Sequence, residues 1–265
     1  MGLPRHQART TAPPEGHQPT GETVPAVLVH GVPDTYHVWD DVLDHLTRTD
    51  VLTLALPGFG CPVPEGFSST KEEYVDWITA RLEGLGSTVD LVGHDWGCAL
   101  TARVASLRPD LVRTWADGDA SVSGAVEWHD LGKIWQTPEV GEQWMAEFDA
   151  SELSKLLQAS GVPAHRAGQT ASRLDATMKE SILRLYRSAA HVGAEWEIGL
   201  ANLTSPSLVF WGIADQFEPV ERADILAKSV RATNVVRLDS GHWGPVQRPR
   251  ELADALTQHW ESVRA

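Results

Sequence analysis

Val92-Gly93-His94-Asp95-Trp96-Gly97 is the stretch that decides the fold. It ends an apolar, β-branched run that begins at Val89, and it leads into a helical pattern over 97–108 that stops at Arg108-Pro109. The sequence therefore predicts a strand, a tight turn and a helix. Glycines on either side of the central residue let the chain reverse sharply and hold that side chain in strained backbone at a helix N-terminus. Here the central residue is Asp95. An aspartate aimed out of a strand end is costly to leave unpaired, which points to a nucleophile; a buried structural carboxylate is the plainer alternative.

Outward from this turn, short apolar runs alternate with helical patterns from Pro25 onward, as in a mostly parallel sheet flanked by helices. The predicted strands are Ala26–His30, Val51–Leu54, Val89–Gly93, Val112–Ala116, Ser207–Trp211 and Asn234–Leu238. A helix over Thr70–Leu85 opens with a capping box, Thr70 and Glu73, and turns Tyr74, Trp77, Ile78, Leu82 and Leu85 to one face. Another over Pro249–Val263 closes the chain with Leu252, Leu256 and Val263 inward. Between Asp119 and Leu203 no strand pattern occurs, only short helices that include Glu139–Phe148, Ser151–Ala159 and Ser172–His191. That span is too long for a loop. It is expected to form a helical cap, 120–203, over the carboxyl edge of the sheet, where open α/β folds place their ligands. Residues 25–119 and 204–265 then make the core, and the proline-rich 1–24 a flexible tail.

The whole chain has 265 residues, enough for one large domain or one domain with an insertion. No apolar run approaches the roughly 18 residues of a membrane span. With 22 basic and 36 acidic residues the net charge is −14, a field that repels phosphate backbones and anionic lipid, so neither nucleic acid nor membrane is an expected partner. Cys61 and Cys98 are too few for a disulfide framework, lack the CxxC spacing of metal or redox sites, and read as free thiols. The start lacks an apolar leader, and a cytoplasmic protein is expected. The eleven histidines are scattered without metal-ligand spacing, so no metal or cofactor is expected. The expected partner is a small-molecule substrate, and a homodimer is left open.

Two further segments continue the pattern. Asp215 follows the fifth predicted strand in Phe210-Trp211-Gly212-Ile213-Ala214-Asp215, and His242 follows the sixth in Asp239-Ser240-Gly241-His242-Trp243. In this order Asp95, Asp215 and His242 resemble the α/β-hydrolase superfamily, in its Asp-nucleophile branch of epoxide hydrolases and haloalkane dehalogenases, over about Pro25–Val263. Asp117 and Asp119 are the competing acid position, which some dehalogenases use. The resemblance implies that His30-Gly31-Val32-Pro33 is the oxyanion loop, with the backbone N–H groups of Val32 and Trp96 as the hole. Family members usually have two strands before the oxyanion strand; Thr10–Val24 is too proline-rich to supply them well, so a shorter sheet is expected.

A carboxylate nucleophile suits displacement at saturated carbon rather than esterase chemistry. The resemblance implies that Asp95 forms an alkyl-enzyme ester, that His242 then activates water, and that Asp215 orients His242. An epoxide oxygen leaves as an alkoxide and needs a proton. Tyr186, in Ile182-Leu183-Arg184-Leu185-Tyr186-Arg187, resembles the cap tyrosine that epoxide hydrolases use, although those enzymes commonly use two and this cap has one. For a dehalogenase, Val32 stands where one group has a halide-binding asparagine, whereas Trp96 fits a second group that uses two tryptophans. Epoxide hydrolysis is the leading expectation, with haloalkane dehalogenation and a non-catalytic small-molecule receptor as alternatives. The chain has 11 tryptophans. Trp128, Trp135, Trp144, Trp196 and Trp243, with Tyr36, are expected beside Trp96 around one pocket suited to a bulky, planar or polycyclic natural-product epoxide.

Overall fold

A computed structural model describes residues 24–124 and 127–263. The expected tail lies outside the described residues apart from Val24. Six strands, β1 (Ala26–Val29), β2 (Val51–Leu54), β3 (Val89–His94), β4 (Val112–Gly118), β5 (Ser207–Gly212) and β6 (Asn234–Leu238), form one sheet in the order β2-β1-β3-β4-β5-β6. Every neighbouring pair is parallel. All six sequence-derived strands are present, the third to fifth running one or two residues further and the first ending one earlier. β1, β3 and β5 are buried along their whole length, and this continuous apolar character is what a sheet covered on both faces demands. The edge strand β2 is half-buried. Because the strands are parallel, the loops after β1, β3, β4, β5 and β6 all leave from one edge. The order reverses between β1 and β3, the kind of crevice in which open sheets bind ligands.

The helices are α1 (Asp40–Leu43), α2 (Lys71–Glu83), α3 (Trp96–Leu107), α4 (Asp130–Gln136), α5 (Val140–Glu147), α6 (Ala150–Ala159), α7 (Ala164–Ala171), α8 (Ala176–Ser188), α9 (Val192–Trp196), α10 (Glu221–Val230), α11 (Gly244–Gln247) and α12 (Pro249–Ser262). Six of them, α4 to α9, lie between β4 and β5. In α2, Tyr74, Ile78 and Leu82 are buried as their spacing predicts, while Trp77 is half-buried beneath the Arg81 guanidinium. Thr70 caps this helix, accepting from Glu73 N at 3.4 Å, but the Glu73 carboxylate binds the Ser68 hydroxyl (2.6 Å) and backbone N–H instead of closing a reciprocal box. The helix expected over Ser172–His191 is present but shorter, as α8. Ser172 ends α7, and the extended Asp175 restarts the chain by accepting the Met178 N–H at 2.8 Å as the cap of α8. No helix among the described residues is long and apolar enough to cross a membrane.

Candidate active site

Asp95 is the turn between β3 and α3, with φ 55° and ψ −123°, a left-handed backbone that L-residues adopt only under constraint. The constraint comes from close packing. A Cβ on Gly97 would stand 2.2 Å from the Val29 carbonyl oxygen, so only glycine lets α3 start hard against β1. The first turn of α3 thus points its positive end at the Asp95 carboxylate. Opposite it, the loop after β1 is shaped by His30, whose Nδ1–H donates to Gly31 O (2.8 Å) and whose Nε2 accepts from Leu56 N (3.1 Å). Burial lowers His30 to about 4, so this ring stays a neutral clamp. The clamp presents Val32 N–H, which donates to Asp95 Oδ1 at 2.7 Å.

The other oxygen, Asp95 Oδ2, lies 3.3 Å from His242 Nε2, and His242 Nδ1 lies 2.8 Å from Asp215 Oδ2. Asp215 is itself fixed, its Oδ1 accepting the N–H groups of Phe217 (2.8 Å) and Glu218 (2.9 Å). Burial alone would push the Asp95 carboxyl up; the hydrogen-bonded, charged His242 outweighs it and holds Asp95 below its ordinary value. His242 moves the other way: burial disfavours its charge, but the two carboxylates raise it well above the usual histidine range. These opposite shifts favour an ionised Asp95 beside a charged His242. His94 completes the frame, its Nε2–H donating to the His242 carbonyl at 2.7 Å.

Neither competing acid binds His242. Asp117 turns to the Thr101 hydroxyl in α3. Asp119 accepts Gly212 N–H at 2.9 Å, with its second oxygen 3.5 Å from His94 Nε2. Burial raises both carboxyls well above their ordinary value.

A cavity of about 370 Å³ opens over Asp95 and His242. Tyr186 lines it, 2% exposed, its ring 5.3 Å from Trp96 and 4.8 Å from Trp135. Burial raises its phenol well above the ordinary value, the nearby Asp95 charge adds to this, and a hydrogen bond with the Trp96 side chain opposes it. The phenol therefore stays protonated. Trp128, Trp135 and Trp243 also line the cavity, Trp128 stacked on Trp96 at 5.7 Å.

Three expected pocket residues do not. Trp144 packs against Phe148 (4.3 Å) and Trp135 (5.5 Å), which takes the cavity position itself. Trp196 turns from the end of α9 toward the Lys71 ammonium and the Arg103 guanidinium, at 5.5 and 5.6 Å from its ring. Tyr36 is half-buried and stacks on its neighbour His37 at 4.1 Å. Four tryptophans, not the expected six, therefore reach the cavity.

Sequence reasoning missed His129, Phe217, Glu218 and Ser121, which all line it. His129 caps α4 through Nδ1, which accepts Gly132 N–H at 3.0 Å, and burial lowers its pKa. The neutral ring therefore carries its proton on Nε2. Its position beside Trp128 was the available signal. Glu218 is half-buried, and that partial burial pushes its carboxyl up to about 7 against the opposing pull of Arg222, 2.7 Å away. Among the described residues no His, Cys, Asp and Glu group is arranged to hold a metal.

The profile of the alpha/beta hydrolase family matches residues 26–255. The chain is 24% identical over 254 residues, 91% of each protein, to (E)-2-((N-methylformamido)methylene)succinate hydrolase of Acinetobacter baylyi. It is 23% identical over 300 residues, 91% of this chain and 89% of the relative, to an epoxide hydrolase of Caballeronia sordidicola. Among solved structures, a thermophilic esterase from Thermogutta terrifontis superposes with a TM-score of 0.76 at 20% identity, covering 93% of this chain and 92% of the esterase.

Proposed function

Because this chain belongs to the alpha/beta hydrolase family, we propose that it is a hydrolase that opens an epoxide to a vicinal diol through an ester on Asp95. The observation that carries this reading is the split duty of one carboxylate: Oδ1 rests on Val32 N–H while Oδ2 is left to His242 and the cavity. Oδ2 attacks an epoxide carbon, the carbon–oxygen bond breaks, and the ring oxygen takes the proton of Tyr186. His129, with Nε2–H, is the second donor to that oxygen, in the role for which this cap has no second tyrosine.

Esterification removes the Asp95 charge that helps to hold the His242 proton, so the imidazolium gives its proton back to the Tyr186 phenolate by way of water and becomes a base. Water then loses a proton to His242 Nε2 and attacks Cγ, and the charge formed on Oδ1 is held by the N–H groups of Val32 and Trp96. Collapse breaks the Cγ–Oδ2 bond. The departing oxygen takes the proton from His242, and the remaining acid returns its own to the ring, restoring the starting state. A cavity of about 370 Å³ lies near the small end of ligand sites. This favours a compact aryl epoxide, such as an aromatic natural-product intermediate, over a polycyclic one.

Intact-mass analysis of His242→Gln mixed with epoxides and haloalkanes tests the reading. An adduct of the epoxide's mass is expected; no adduct from either class, with ester turnover by the wild type, sinks it. Tyr186→Phe should slow adduct formation from epoxides at least about 100-fold and leave haloalkanes nearly unaffected; equal effects remove Tyr186 as the acid. One observation favours haloalkane dehalogenation as the second reading: Trp96 and Trp135 both line the cavity, in keeping with the paired tryptophans that one dehalogenase group uses. Adducts from haloalkanes alone would select it.

A further inference from the structure

The loop that carries His242 is held from both sides of that residue. After it, the His242 carbonyl accepts from His94; before it, Ser240 O accepts Ala214 N–H at 2.9 Å. Between these lies a hold that the ester mechanism does not use. Gln247, at the end of α11, accepts Gly241 N–H on Oε1 at 3.0 Å. The same amide reaches the other way, its Nε2–H donating at 3.0 Å to the carbonyl of Ser160, the residue that follows α6. One partner can only donate and the other only accept, so together they fix which way the amide points. Ser160 is fastened in turn, its Oγ accepting from Gln216 Nε2–H beside Asp215 and donating to Leu156 O at 2.9 Å. The next residue, Gly161, has φ 87°, and a Cβ on it would stand 3.2 Å from Gln247 Oε1, so this turn leaves the amide its room.

We propose that Gln247 is a positioning residue for His242, acting through Gly241 and steadied by the inserted helices at Ser160. Asp215 holds only Nδ1 of the ring. The ring can still pivot about that bond, and what stops it is the backbone on which His242 hangs. The attacking water of the second half-reaction must fit between Nε2 and Asp95 Cγ, a geometry that tolerates little error. Ester formation draws on Asp95 and Tyr186, which Gln247 does not contact, so the cost of losing this amide falls on ester hydrolysis. The inference rests on the ester reaction proposed for Asp95.

Single-turnover reactions of the full-length protein with styrene oxide, quenched in acid and read by intact mass, follow the growth and decay of the adduct. Gln247→Met should slow decay at least about tenfold while growth stays within about twofold. Gln247→Glu keeps the acceptor for Gly241 N–H and should hold decay within about threefold of the wild type. Unchanged decay in Gln247→Met, growth and decay falling together as a merely structural role would have it, or Gln247→Glu no better than Gln247→Met overturns the assignment. No adduct on either the wild type or His242→Gln overturns the ester reaction and this inference with it, whereas an adduct whose decay ignores Gln247 overturns the inference alone. If Gln247→Met does not fold, Gln247→Asn, whose amide is one methylene short of Gly241, is judged by the same two rates.

Discussion

Two aspartates at opposite ends of β3, one near its start and one in the turn after it, show how environment divides a residue type between structure and chemistry. Asp90 opens β3 fully buried, with Oδ2 on Arg48 (2.8 Å) and Arg113 (2.6 Å) and Oδ1 on the Thr114 hydroxyl (2.7 Å). Asp95, five residues on, keeps one oxygen for the cavity. A third, Asp34, in the loop after β1, is buried with Trp243 Nε1–H donating to Oδ2 at 2.7 Å, and burial raises its pKa from 3.8 to about 6. The folded state thus holds that proton more tightly than the unfolded chain, and the wild type loses stability as pH rises from about 4 to about 6. Asp34→Asn keeps an acceptor for Trp243 without the buried charge. Its advantage over wild type should be near zero below pH 4 and reach about 3 kcal/mol above pH 6, measured by urea denaturation between pH 4 and 8; an advantage independent of pH would contradict this.

The helices between β4 and β5 are tied to the core by a few charged side chains. Lys71, at the start of α2 and 4% exposed, pairs with Glu195 of α9 at 2.8 Å and also with Glu72, and its backbone N–H donates to Ser188 Oγ at the end of α8. Breaking this pair is asymmetric. Glu195→Gln leaves a buried ammonium with less compensation and should cost about 1–2 kcal/mol, whereas Lys71→Met leaves only a half-exposed carboxylate in water and should be near neutral. Urea denaturation of both variants decides it, and equal costs would show that the lysine is not the dependent partner.

The strands and the positions of Asp95, Asp215 and His242 were legible at this scale because parallel order fixes which edge each loop leaves from. Side-chain direction around the inserted helices was not, since Trp135, Trp144 and Trp196 lie on three different short helices whose packing decides which side chain meets the cavity. Nor was α10, which buries Ala223, Leu226 and Val230 at helical spacing but starts after Val220 with no capping side chain.

Across the whole molecule, the two edges of the sheet have separate work. The amino edge carries the Asp90 cluster, where Arg48 also lies 4.5 Å over the Trp260 ring of α12; the carboxyl edge carries Asp95, Asp215 and His242. Asp90→Asn removes one charge from between two largely buried arginines and should cost about 3 kcal/mol of stability, with the rate of ester formation on His242→Gln unchanged within about twofold. A parallel loss of that rate would show that strain at one edge reaches the other.

The bond from His94 to the His242 carbonyl has a mechanical consequence. His94 is the residue before Asp95, so Asp95 and His242, the nucleophile and base of the proposed reaction, hang from one short linkage although they lie 147 positions apart in sequence. Thermal swings of the loop carrying His242 are shared with the turn carrying Asp95, and the gap between their reacting atoms varies less than the position of either. In the proposed reaction, timing between the two half-reactions would then follow the charge on Asp95 rather than the wandering of the loop.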